Sequence, residues 1–116
     1  MRHRPPPLEY FLDLYVNGRL EDSQSKRHDP NGGSPKEQAL AYAQGACHTF
    51  AKYGGGDAVV VSRLDRADGD LVPMLALACC FERGPDGRRV ARPRKVRAPR
   101  DSYDPYWAPP ASACRR

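Results

Sequence analysis

Leu71-Val72-Pro73-Met74-Leu75-Ala76-Leu77-Ala78-Cys79-Cys80-Phe81-Glu82 is the stretch that decides the fold. Successive side chains of a strand point to opposite faces. Leu75, Leu77, Cys79 and Phe81 therefore share one side, and Met74, Ala76, Ala78 and Cys80 share the other. Both sets are apolar, so this strand needs cover front and back. The larger set is expected to meet a helix.

The helix lies upstream. In Ser34-Pro35-Lys36-Glu37, Ser34 can accept the amide proton of residue 37 and Glu37 can reach back to the amide of residue 34. Pro35 takes the first helical position, where no amide proton is needed. The helix is expected to run to about Tyr53 and to stop at Gly54-Gly55-Gly56. Its buried stripe is Ala39, Leu40, Ala43, Cys47, Phe50 and Ala51, mostly small residues that let it lie close to a sheet.

The other strands fall on either side of it. Asp57 to Arg66, around Val59-Val60-Val61, precedes Leu71–Glu82 across an Asp68-Gly69 hairpin signal. Tyr10 to Val16 alternates, and Asn17-Gly18 suits a two-residue type I′ turn into a polar return strand from Arg19 to about Ser25. A tight loop would set Asp13 opposite Asp22, an unfavourable like-charge pair, so a bulge or a looser loop is expected there. Gly84-Pro85-Asp86-Gly87 reads as a further turn, and Arg88 to Ala91 as a fifth, edge strand that Pro93 ends.

The expected fold is therefore α+β: a single antiparallel sheet of four to five strands, β-β-α-β-β, with one helix packed on one face. Residues 1–7 read as a flexible N-terminus, 8–91 as a single domain, and 92–116 as a basic, proline- and aromatic-containing tail. One helix covers one face. The other is expected to show Val59, Val61, Met74, Ala76 and Ala78, too apolar for water. A second copy of the chain, another protein, or Tyr103, Tyr106 and Trp107 folding back would cover it.

Charge is concentrated. The 116-residue chain carries +5, yet residues 83–100 hold eight basic side chains against Asp86 alone. The strap Arg88, Arg89, Arg92, Arg94, Lys95, Arg97 and Arg100 suits a phosphate backbone or an acidic protein surface. No apolar run reaches the roughly 18 residues of a membrane span, and Glu9 and Asp13 interrupt any signal-peptide core. A cytoplasmic protein with Cys47, Cys79, Cys80 and Cys114 as free thiols is the expectation.

Catalytic and cofactor signatures are missing. Cys47-His48 and Cys79-Cys80 lack the C-x-x-C spacing of zinc knuckles, and strand neighbours facing opposite ways cannot easily share an ion. Asp65, Asp68 and Asp70 break the alternation of a calcium loop at Ala67. Gly54-Gly55-Gly56 follows a helix, whereas a phosphate cradle precedes one. Cys47 with His48 or His28 is the only nucleophile–base pairing to name, and no strained turn surrounds it. The sequence points to a non-enzymatic interaction module acting by surface occupation, with no metal and no cofactor. An inhibitor of a host complex, of the phage or mobile-element kind, is one version. Nucleic-acid binding through the strap is the alternative, and a thiol or metal enzyme a distant third.

Overall fold

A computed structural model describes residues 8–65, 69–101 and 104–115. Eight elements follow one another: β1 (Glu9–Val16), β2 (Arg19–Arg27), α1 (Pro35–Tyr53), β3 (Ala58–Asp65), β4 (Asp70–Ala78), β5 (Phe81–Arg83), β6 (Arg89–Ala91) and β7 (Arg94–Val96). The main sheet is antiparallel in the order β2-β1-β3-β4-β7, and β5 and β6 form a separate two-stranded ribbon. The α+β class, with one helix packed on an antiparallel sheet, is as the sequence implied.

Local chemistry explains the first hairpin. Asn17 and Gly18 both take positive φ (54° and 75°), the conformation a type I′ turn demands and other residues resist. The ladder shifts between Leu14 and Tyr15, so Asp13 faces Ser23 and Asp22 faces Leu14. The bulge separates the two carboxylates, and the Ser23 hydroxyl donates to Asp13 Oδ1 at 2.6 Å. That bond satisfies a carboxylate only 4% exposed.

α1 begins and ends where its caps are. Ser34 Oγ accepts from the Glu37 amide at 3.2 Å, with Pro35 at the first helical position. The Glu37 carboxylate takes the Ser34 hydroxyl (3.0 Å) and not the Ser34 amide. Gly54 ends the helix at φ 112°, its amide donating to the Phe50 carbonyl. Gly56 then lets β3 start close by, because a Cβ there would lie 2.6 Å from the Phe50 ring.

The core has two parts. On the helix side, Tyr10, Leu12, Val59, Val61, Leu77 and Cys79 meet Ala39, Ala43 and Cys47, with Leu40, Phe50 and Ala51 packed at the margin. On the opposite side, Tyr15, Ala58, Val60 and Ala76 form a smaller cluster. Val59 and Val61, expected on that second face, are buried under the helix. Four consecutive apolar residues, Ala58 to Val61, gave the strand no phase of its own; pairing of Val59 with Leu77 and Val61 with Leu75 set it. Met74 also packs toward the helix side, since the β3–β4 register slips between Val61 and Ser62 and leaves Met74 as the extra residue.

The strand expected to run through to Glu82 breaks at Cys79-Cys80. Beyond it, β5 pairs with β6, and Arg92 donates its amide to the Cys80 carbonyl. Arg89–Ala91 is therefore a strand, but of the ribbon, where Ala91 joins the helix-side core. The fifth strand of the main sheet is β7, which begins after Pro93 and pairs with Ala76–Ala78. Proline at the entry costs nothing there because its nitrogen precedes the ladder. Asp68, half of the expected second hairpin signal, lies outside the described residues.

Candidate partner-binding surface

The second sheet face carries Ala76 and Ala78 as expected, with Ala58 and Val60 in place of Val59 and Val61. It is covered by the chain's own C-terminal segment: Val96, Ala98 and Trp107 pack on it, together with Leu20 of β2. The Trp107 ring meets Tyr15 edge-on at 5.1 Å between centroids, a favoured aromatic geometry. The buried Tyr15 hydroxyl donates to the Asp104 carbonyl at 2.6 Å. Burial, with Asp13 and Asp104 nearby, pushes its pKa up to about 12. Finally, Cys80 is joined to Cys114 by a disulfide, which fastens the end of the segment to the end of β4.

These contacts change the roles of three sets of residues. Two of the four cysteines are not free thiols, because Cys80 faces the side to which the C-terminus returns. Trp107 is an internal anchor, whereas Tyr106 stands 92% exposed and Tyr103 lies outside the described residues. And the sheet face is not open. A partner must use something else.

The strap is what remains exposed. Arg88, Arg89, Arg92, Arg94, Lys95, Arg97 and Arg100 all lie at the surface. Arg92 pairs with Glu82 at 2.6 Å, Arg88 with Asp86 at 3.7 Å, and Arg89 lies over the Phe81 ring. Arg94, Lys95, Arg97 and Arg100 have no ion pair among the described residues. β7 also divides its cations: Val96 faces the Trp107 side, so Arg94 shares that side and Lys95 takes the other.

Lys95 thereby joins two cations the sequence did not single out. β7 pairs with only three residues of β4. Beyond Val96 the chain parts from β4 and leaves a trough of about 560 Å3. Its floor is Val72, Met74, Leu75, Ala76, Val96 and Ala98; its charged rim is Lys36, Arg63 and Lys95, with no acid among the lining residues. Lys36 stands in the first turn of α1, where the helix dipole opposes a cation. Arg63 is the basic residue at the end of an otherwise apolar run, exposed beside buried Ser62. Those two local oddities were the available signals, but nothing in the sequence shows that three distant elements share one rim.

A second cavity of about 450 Å3, beside Gly54–Asp57, mixes Asp57 and Glu82 with Arg83 and Arg89 and so selects neither sign of charge. Catalytic pairings fare no better. Cys47 is buried while the adjacent His48 is exposed, and His28 Nδ1 is hydrogen-bonded to the Tyr10 hydroxyl at 2.6 Å. Cys79 Sγ lies 2.8 Å from Cys47 Sγ, and this contact and burial push the Cys79 thiol far up. Among the described residues no three His, Cys, Asp or Glu side chains gather as a metal site would require, and no helix is long and apolar enough to cross a membrane. No family model matches the chain, and no curated protein or solved structure does.

Proposed function

We propose that this protein is a non-enzymatic interaction module that grips an acidic segment of another protein at the trough between β4 and the strap. The carrying observation is an apolar floor ringed by Lys36, Arg63 and Lys95 with no acid beside them. A partner side chain buried on Val72, Met74 and Leu75 supplies affinity, while carboxylates flanking it meet the cations and set orientation. The volume is within the range of about 300–1,000 Å3 typical of binding pockets. The other strap cations, Arg94, Arg97 and Arg100, lie outside the trough and contribute only long-range attraction that speeds encounter with an acidic partner. Occupying a partner's surface in this way is all an inhibitor would need to do.

A nucleic-acid partner fits less well. Single strands stack bases on aromatic platforms, and Trp107 is engaged with Tyr15 while the trough floor is aliphatic. The strap's cations also divide between two sides of β7 and do not track one groove.

The test is a titration with a fluorescent peptide of alternating Glu and Leu, against a Lys/Leu peptide and a short DNA duplex, at two salt concentrations. The acidic peptide should bind best. The exposed triple variant K36E/R63E/K95E should weaken it about tenfold or more, since each rim pair contributes up to ~1 kcal/mol. Equal binding by the triple variant would remove the trough from the account. Tighter, steeply salt-dependent binding of the duplex would transfer the function to the alternative partner.

A further inference from the structure

We infer that Cys47 and Cys79 form a second disulfide in the mature protein, so that Cys79 fastens the helix and Cys80 the C-terminal segment to adjacent residues of one chain. The two sulfurs are 2.8 Å apart in the helix-side core, both buried, on residues 32 apart in sequence. They need close by only about 0.8 Å to reach bonding distance. Both thiols are buried, so neither has a water-facing role that would explain keeping it reduced.

Topology selects this pairing. Four cysteines allow three connectivities. Cys79 and Cys80 are neighbours on an extended segment and face opposite ways. Cys79 meets Cys47 of the helix, and Cys80 meets Cys114 of the returning C-terminal segment. Joining Cys47 to Cys80 and Cys79 to Cys114 would need Cys79 and Cys80 to exchange sides of the sheet; joining Cys79 to Cys80 would leave Cys47 and Cys114 on opposite faces. The Cys80–Cys114 bond also implies surroundings that oxidise thiols, and Cys114 is the exposed partner of the four. Conditions that keep a bond with one exposed cysteine oxidised also oxidise a pair held in contact.

The step balances with a disulfide oxidant, either a low-molecular-weight disulfide or a protein oxidoreductase. One cysteine thiolate attacks the oxidant's S–S bond, forms a mixed disulfide and releases one thiolate. The second cysteine thiolate then displaces the other half. Two S–H bonds are lost from the protein, one S–S bond forms, and the two protons and two electrons leave with two reduced thiols. Because the folded core holds Cys79 protonated, closure belongs to folding, while the pair is still reached by solvent. A chain with both bonds matures in an oxidising compartment and not in the reducing cytoplasm that its composition suggested.

The experiment refolds the reduced, denatured chain in a reduced/oxidised glutathione buffer, quenches with acid, and alkylates in denaturant without reductant. The expected result is no alkylated cysteine, an intact mass four hydrogens below that of the reduced chain, and, in the double variant C80S/C114S, a bond between Cys47 and Cys79. Two alkylated residues at Cys47 and Cys79 with Cys80–Cys114 intact would overturn the inference, as would any crossed pairing. If the double variant fails to fold, the parent chain decides through fragmentation of the linked peptides between Cys79 and Cys80, with Cys47 carried by Cys79 and Cys114 by Cys80 as the expected result and the reverse assignment overturning the inference.

Discussion

The two faces of the sheet are covered in different ways. On one, α1 brings its own start signal, stop signal and apolar stripe, and buries Leu12, Val59, Val61 and Leu77 beneath small residues. On the other, Tyr15, Ala58, Val60 and Ala76 lie beneath a proline-rich segment with no helix or hairpin of its own among the described residues, held by Trp107, one Tyr15 hydrogen bond and the Cys80–Cys114 bond. A helix is stabilised locally before it packs. An irregular cover depends on its anchors, and loses its place when they go. The first face should therefore set global stability, and the second should respond to local perturbations.

The largest effect should come from the helix side. Leu77→Ala empties a site only 2% exposed and is expected to cost about 2–5 kcal/mol in urea unfolding. An effect below 1 kcal/mol would mean that the helix-side core is not the stronger of the two. Next is the covalent anchor. Cys114→Ser opens a loop spanning 34 residues and should cost about 3–4 kcal/mol in the chain-entropy account. It should also red-shift the emission of the single tryptophan while far-UV circular dichroism stays unchanged. Loss of helical signal in that variant would show that the two faces are not separable.

A smaller effect belongs to the Tyr15 hydroxyl. Tyr15→Phe keeps the ring contact and removes the bond to Asp104, for about 1 kcal/mol. The same group gives a pH signature. Its folded pKa is about 12 against 10 when unfolded, so the unfolded chain releases its proton first. The stabilisation is complete below pH 10 and is lost as pH rises from 10 toward 12. A pH titration of Trp107 fluorescence should show this loss, and Tyr15→Phe should flatten it. The smallest effect is at Ser62, buried with no hydrogen-bond partner for its hydroxyl among the described residues. Ser62→Ala should be neutral or stabilise by up to ~1 kcal/mol.

The same contrast explains how much was legible. α1 could be read to within a residue because its caps are local. The β1–β2 bulge was readable because Asp13 and Asp22 forbid the simple register. That the second face needs cover also followed from Leu71–Glu82. The phase of β3 did not, since Ala58 to Val61 offer no polar residue to mark a face. The break at Cys79-Cys80 has no turn residue to announce it, and β7 follows a proline that read as an end. Of the candidate site, the strap was visible as a charge run. The trough was not, because Lys36, Arg63 and Lys95 become neighbours only once helix, sheet and returning chain are assembled.

The cover of the second face depends on the C-terminal segment lying over the sheet. Proton nuclear Overhauser contacts between the Trp107 indole and the Tyr15 ring report this directly. Strong cross-peaks in the oxidised protein, weakened on reduction, are the predicted result. Their absence in a folded, oxidised sample, with Tyr15 open to solvent, would contradict it.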